Sequence, residues 1–293
     1  MVGKLKIRNL VVIGVGLVGA SFALALKRAR AVGHVVGVGR TRRNLAAARR
    51  LRVIDEVQSD PARAVRDADL VLISTPVGQM GAVMTEIAPH LSPRTVVTDG
   101  GSTKRDVIAS ARRFLGARLR RFVPGHPIAG TEKSGASAGF AELYRDRCVV
   151  LTPLAETDQD AVRLVRRAWA ACGARVVALD AGEHDEMLAA VSHLPHVVAY
   201  ALVNALGQRR DAARLLRFSA GGLRDTVRIA GSSPEMWADI CIANRDALLA
   251  ALDDYEDALG ETRAAIERGD AGTLKRLFVQ ARAARERWLV KKS

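Results

Sequence analysis

At 293 residues the chain can form one large domain or two ordinary ones, and 49% hydrophobic with 26% charged residues fits a globular protein and not a disordered one. A net charge of +14 invites a nucleic-acid partner, but arginines are scattered through every segment with acids between them, and the 4% of aromatics do not alternate with arginine as stacking platforms would. Cys148, Cys172 and Cys241 lie far apart without CxxC spacing, which argues against a disulfide frame or zinc cluster and for a reducing, cytoplasmic setting.

The basic then apolar amino terminus runs straight into a glycine pattern with its own use, so it is not read as a signal peptide. No apolar run is expected to reach the ~20 residues of a membrane span. Strands are expected at Asn9–Ile13, His34–Val38, Asp69–Ser74, Thr95–Asp99 and Arg121–Pro124, with amphipathic helices near 17–30, 43–51, 78–90 and 104–115. This alternation predicts βαβ units and a parallel, doubly wound α/β sheet of the Rossmann type. Cys148–Thr152 and Arg175–Leu179, around a helix near 158–172, are expected to extend that sheet. From Glu183 to Trp288 the sequence is almost all helix formers, broken where glycines fall at expected helix ends. The division expected is a dinucleotide-binding domain over 1–180 and an all-α domain over 181–293.

GVGLVG, residues 14–19, is a full GxGxxG that follows an apolar strand and opens a helix. Gly14 would make the tight turn, Gly16 would admit the pyrophosphate, and Gly19 would let helix and strand pack closely, with Leu17 and Val18 between them at the helix start. Ser74, Thr75 and Pro76, closing the third strand, are cofactor candidates at the same rim. After the second strand come Gly39, Arg40, Thr41, Arg42 and Arg43, with no acid to take a ribose hydroxyl. Arginines there would suit a 2′-phosphate, so the reading leans to NADP, with NAD as the other choice.

The loop PGHPIAGTEKSG, residues 124–135, frames one histidine with glycines and prolines, as a loop and not a regular element. His126 would face the nicotinamide from the carboxyl rim of the sheet. Ser102 and Lys104 lie on the neighbouring loop, and Thr131 is a further substrate-side candidate; Lys104 and Lys133 read as solvated loop charges. The helical half adds His193 and His196 in SHLPH, and Arg224 and Arg228, which share a face if helical and would suit carboxylates. No Cys/His cluster offers a metal site. Trp237 and Trp288 read as core or interface anchors.

GHPIAGTEKSG, SHLPH, RDTVRIA and PEMWADI, in this order after the glycine fingerprint, resemble the prephenate/arogenate dehydrogenase family. The resemblance spans essentially the whole chain. It implies a Rossmann domain and a helical domain through which two copies pair; the scattered charge and the short apolar runs read against a nucleic-acid or membrane partner. It also implies oxidative decarboxylation of prephenate to 4-hydroxyphenylpyruvate, or of arogenate to tyrosine. His126 matches the family's catalytic base and Ser102 a serine bonding that histidine and the substrate hydroxyl. His196 matches a substrate-pocket histidine, and Arg228 the arginine that grips a carboxylate; Arg224 is the alternative clamp, and His193 is the more structural of the two histidines. Two other readings stay open: a β-hydroxyacid or imine dehydrogenase, and an NADP-binding nucleic-acid regulator.

Overall fold

A computed structural model describes residues 5–131 and 133–290, apart from the side chains of Trp288 and Val290. The anchor expected at Trp288 and any role for Glu132 therefore lie outside the described residues. The chain divides into two compact units, residues 1–245 and 246–293.

The first unit is organised by a six-stranded sheet in the order β3-β2-β1-β4-β5-β6. Its strands are β1 (Ile7–Ile13), β2 (Val32–Val38), β3 (Glu56–Gln58), β4 (Leu70–Ile73), β5 (Val96–Asp99) and β6 (Phe122–Val123), every neighbouring pair being parallel. The helices between them are α1 (Leu17–Arg28), α2 (Arg42–Arg50), α3 (Pro61–Ala64), α4 (Val77–Ile87) and α5 (Arg105–Phe114). The Rossmann-type sheet expected from the sequence is present. β1 and β4 are apolar runs because helices cover both faces of the sheet. One core joins Leu10, Val12, Phe22, Tyr144 and Trp169; the other joins Val11, Ile73, Met80, Met84, Trp237 and Ile240. Trp237 is thus a core residue, as its apolar neighbours suggested.

The later strands do not extend this sheet, contrary to expectation. β7 (Gly125–Pro127), β8 (Cys148–Leu151) and β9 (Arg175–Ala178) form a separate sheet with α6 (Gln159–Ala171) packed on β9; β7 runs antiparallel to β8 and β8 parallel to β9. The physical reason lies at Pro124, which brings no N–H to continue the β5 ladder. The next amide, of Gly125, donates instead to the Asp99 carboxylate at 3.0 Å. His126 consequently sits on a strand, opposite Val150, where a loop was expected.

The remainder of this unit is helical. α7 (Ala181–Leu188) passes through a π turn, Ala189–His193, into α8 (Leu194–Gly207); α9 (Ala212–Leu216), α10 (Gly221–Val227), a 3-10 turn from Arg228 to Gly231 and α11 (Pro234–Ala243) follow. α7 to α8 form one run of 27 residues whose most apolar stretch has mean hydropathy 1.3, long and apolar enough by composition to cross a membrane. That corrects the expectation that no such run exists. The run is nevertheless tied to the start of α5 by polar groups, because Asp185 accepts the backbone N–H of Lys104 and Arg105, each at 2.8 Å. α12 (Arg245–Glu267) and α13 (Ala271–Val290) supply the second unit, where Arg276 of α13 reaches Glu261 of α12 at 3.3 Å.

Candidate active site

The strand order reverses between β1 and β4, and the crevice beyond their carboxyl ends is where such sheets take ligands. Each fingerprint glycine has its own steric cause there. Gly14 adopts φ +96°, and a side chain would sit 2.6 Å from the Ser74 carbonyl oxygen. A Cβ at Gly19 would lie 2.5 Å from Ser74 Oγ and 2.6 Å from Val12 Cγ1. At Gly16 a Cβ would meet nothing within 4 Å, so the space is kept for something other than protein. Gly16 also caps α1 without a side-chain hydrogen bond, which leaves amide donors aimed outward. The buried Thr75 hydroxyl beside it has no partner. The donors and the open cradle fit a dinucleotide pyrophosphate.

This difference between glycines yields an expected result. Gly16→Ala should leave thermal stability within the roughly 0.5 kcal/mol of an ordinary surface change yet weaken dinucleotide binding about tenfold or more, a cost of ~1.4 kcal/mol. Gly19→Ala should lower the melting temperature itself. Thermal unfolding with and without nucleotide separates the two; equal binding by Gly16→Ala would refute the cradle.

A cavity of about 360 Å³ opens at this point, lined by Gly16, Leu17, Val18, Ser74, Thr75 and Pro76 together with Ser102, His126, Thr131, Lys133 and, from the helical half, Ser232, Ser233 and Met236. The structure thus brings Ser102, His126 and Thr131 to the cofactor loop. It does not bring His193, His196, Arg224 or Arg228 to the cavity wall. His193 is buried, accepts a 3.1 Å hydrogen bond from Asn244 and is held down to about 4 chiefly by burial. His196 stacks on Trp237 with ring centroids 3.6 Å apart and donates from Nδ1 to the Ser192 carbonyl at 2.9 Å. Burial lowers its basicity, and the charge of nearby Arg228 adds to that. Arg224 lies in the middle of α10 and Arg228 starts the 3-10 turn, both exposed. Beyond β2, Arg40, Thr41, Arg42 and Arg43 are exposed; Gly39 is half-buried and Arg40 reaches Glu235 at 3.9 Å. A larger cleft, about 830 Å³, opens around Arg8, Asn9 and Asp69 at the amino-terminal rim of the sheet, away from this chemistry.

His126 is buried, and its Nδ1 lies 2.8 Å from His184 Nε2. His184 Nδ1 is 2.7 Å from the Asp185 carboxylate. Burial holds the His126 imidazole well below the usual histidine value, with the fields of His184, Lys104 and His193 acting the same way. It is a neutral base at neutral pH. Burial opposes ionisation of Asp185, but hydrogen bonds from His184 and the amides of Arg105 and Lys104 outweigh it, so its carboxyl stays below its ordinary value.

Lys104 is no solvated loop charge. It is wholly buried, pairs with buried Asp99 and donates to the Gly125 carbonyl at 2.8 Å. Asp99 also accepts the Gly101 and Gly125 amides, at 2.8 and 3.0 Å, so the pair joins the loop after β5 to the residue just before His126. Asn44 plays a similar part for the TEKSG segment: it donates to the Val15 carbonyl at 2.7 Å and accepts the Ala136 amide at 2.9 Å. Sequence reasoning passed over His184, Asp185, Asp99 and Asn44, which carry no motif of their own.

A dinucleotide cradle sharing one cavity with a neutral buried imidazole defines a dehydrogenase that uses a nicotinamide cofactor. Family models agree: prephenate dehydrogenase, nucleotide-binding domain, matches residues 22–178, and prephenate dehydrogenase, dimerization domain, matches 180–280. The cyclohexadienyl dehydrogenase of Zymomonas mobilis is 38% identical over 280 residues, 95% of either chain. The prephenate dehydrogenase of Bacillus subtilis is 36% identical over 93% of this chain and 74% of its own. The crystal structure of prephenate dehydrogenase from A. aeolicus with hydroxyphenyl propionate and NAD+ superposes with a TM-score of 0.90 at 33% identity, covering 97% of this chain and 99% of that one. This chain belongs to the prephenate dehydrogenase family.

Proposed function

We propose that the chain oxidises and decarboxylates prephenate to 4-hydroxyphenylpyruvate in tyrosine biosynthesis, with arogenate to tyrosine as the related conversion. The observation that carries this reading is His126, buried and neutral, on the cavity that holds the dinucleotide loop. When bound, the nicotinamide supplies the hydride acceptor. His126 takes the proton of the ring C4 hydroxyl as hydride leaves that carbon. Loss of the C1 carboxylate as carbon dioxide then leaves a phenolate, and His126 returns the proton to its oxygen. The sum conserves charge: a dianionic acid and an oxidised cofactor become a monoanion, carbon dioxide and reduced cofactor.

Ser102 and Thr131 line the cavity beside His126 and are assigned to the substrate hydroxyl and side chain. Arg228, with Arg224 as alternative, is assigned to a substrate carboxylate, and His196 and His193 to the pocket it closes. That assignment rests on the motif match, since all four stand off the cavity wall. The nucleotide-binding domain is assigned to residues 1–180 and the helical domain to 181–293, supported by family models that meet between 178 and 180. Pairing of two copies through the helical domain is supported by the dimerization-domain match and by exposed Val191, Phe218 and Ile242. A cytoplasmic location fits the three free cysteines.

The cofactor lean is to NADP, supported by Arg40, Arg42 and Arg43 after β2 and by the lack of an acid there. Absorbance at 340 nm with prephenate or arogenate, each with NAD or NADP, tests the whole reading. No turnover in any of the four mixtures would sink it. Arg42→Ala with Arg43→Ala should raise KM for NADP about tenfold or more while changing that for NAD little, because each lost charge-assisted bond is worth roughly 1.5–3 kcal/mol. Equal loss with both cofactors would remove the NADP preference.

A further inference from the structure

With His184 neutral, the hydrogen bonds behind His126 admit one proton arrangement. Asp185 is an ionised acceptor that already takes two backbone amides, so the ring nitrogen facing it, His184 Nδ1, must be the donor. A neutral His184 then has a lone pair at Nε2, and the nitrogen 2.8 Å away, His126 Nδ1, must carry a hydrogen. That leaves the lone pair of His126 on Nε2, the nitrogen not committed to His184. A base with its other nitrogen fixed by a carboxylate-backed acceptor is held in both tautomer and ring orientation.

We propose that His184 and Asp185 are positioning residues for this reaction: they lock His126 as the Nδ1–H tautomer and stabilise its protonated form between hydride transfer and decarboxylation. This rests on the reading of His126 as the base. The proton moves only between substrate oxygen and His126 Nε2, breaking the O–H bond, forming the N–H bond and reversing on aromatisation. The Nδ1–H bond to His184 stays in place throughout, while the Asp185 carboxylate offsets the positive charge through His184. Burial of His184 and Asp185 keeps water from the far side, so the proton is retained for return to the product.

Every charged group around His126 enters the pH dependence. Lys104, from the loop after β5 and paired with Asp99, disfavours its protonation, as would any protonation of His184 or His193; the Asp185 carboxylate, one ring away through His184, favours it by its charge. Arg105 and Asp106 stand behind Asp185 at the start of α5. Removing the Asp185 charge should therefore make His126 a weaker base, with a lower plateau rate and an acid limb displaced to lower pH. A purely structural role would lower the rate and leave the limb where it was.

The test has two arms on the full-length protein. In the first, 15N-histidine NMR of the free enzyme near neutral pH should show His126 protonated at Nδ1 and bare at Nε2; the opposite tautomer would overturn the proposal without any variant. In the second, profiles of kcat and kcat/KM with prephenate, and the cofactor the wild type uses, are compared for Asp185→Asn, His184→Leu and His184→Gln. Asp185→Asn should lose about 10–100-fold in kcat, as when a carboxylate behind a functional histidine is removed, with the acid limb moved down. His184→Gln, whose amide oxygen can accept from His126, should retain more activity than His184→Leu, which offers no acceptor. Equal rates in those two, or an unmoved limb in Asp185→Asn, would overturn the proposal; if Asp185→Asn does not fold, the NMR and the His184 pair decide. Failure of the parent reading looks different: His126→Asn would then keep its turnover.

Discussion

Turnover of prephenate should fall about 10²–10⁴-fold in His126→Asn, the range for loss of a positioned general base. Asparagine keeps a polar side chain near His184 but cannot take a proton from the substrate. Binding of the nicotinamide nucleotide should survive, because Gly14, Gly16 and Gly19 are untouched and the cradle is built from backbone. The pH profile carries the sign. Burial favours the neutral imidazole, so His126 is already deprotonated at neutral pH, and wild-type activity should decline only on the acid side of the ordinary value of 6.5. As pH falls through the lowered value the base is lost; the residual rate of His126→Asn should show no such limb. Matched kinetics from acid to neutral pH, with thermal unfolding to confirm the fold, check both parts. A variant within about threefold of wild type would remove His126 from the chemistry.

What the sequence made legible was local. The glycine fingerprint could be read because strand, turn and helix are contiguous, and the physical reasons for Gly14, Gly16 and Gly19 act within that stretch and the Ser74 loop. His126 could be read because glycines and prolines marked its segment, although the short strand it occupies depends on a partner strand at Cys148–Leu151. His184 and Asp185 could not be, since AGEHDE looks like the solvated first turns of any helix. Their chemistry arises from Lys104 and His126, 81 and 58 residues away in the chain.

The π turn at Ala189–His193 was equally silent. On an ideal helix of about 100° per residue, His184 and His193, nine positions apart, would point to opposite faces. The wider turn changes the angle between them, and both side chains end up buried. No residue pattern announces that turn. Lys104 failed for the same reason as Asp185, because a lysine between serine, threonine and arginine in a loop gives no hint that Asp99 and Gly125 will enclose it.

That enclosed pair carries the second large effect. Lys104→Met should destabilise the protein by about 3–5 kcal/mol, because the Asp99 carboxylate would stay buried without its counter-charge. Urea unfolding should show a lower midpoint with an unchanged slope. Adding Asp99→Leu removes the stranded charge, so the double variant should be less destabilised than the two single changes summed. It should not return to wild type: the Gly101 and Gly125 amides, which donate to Asp99 at 2.8 and 3.0 Å, would lose their acceptor, each at a cost of about 1–3 kcal/mol. Since Gly125 immediately precedes His126, the double variant should also lose turnover beyond what its stability explains. Full recovery of both stability and rate would mean the pair holds nothing in register and any well-packed apolar pair would serve. Recovery of stability alone would assign the buried charges to aligning the catalytic strand.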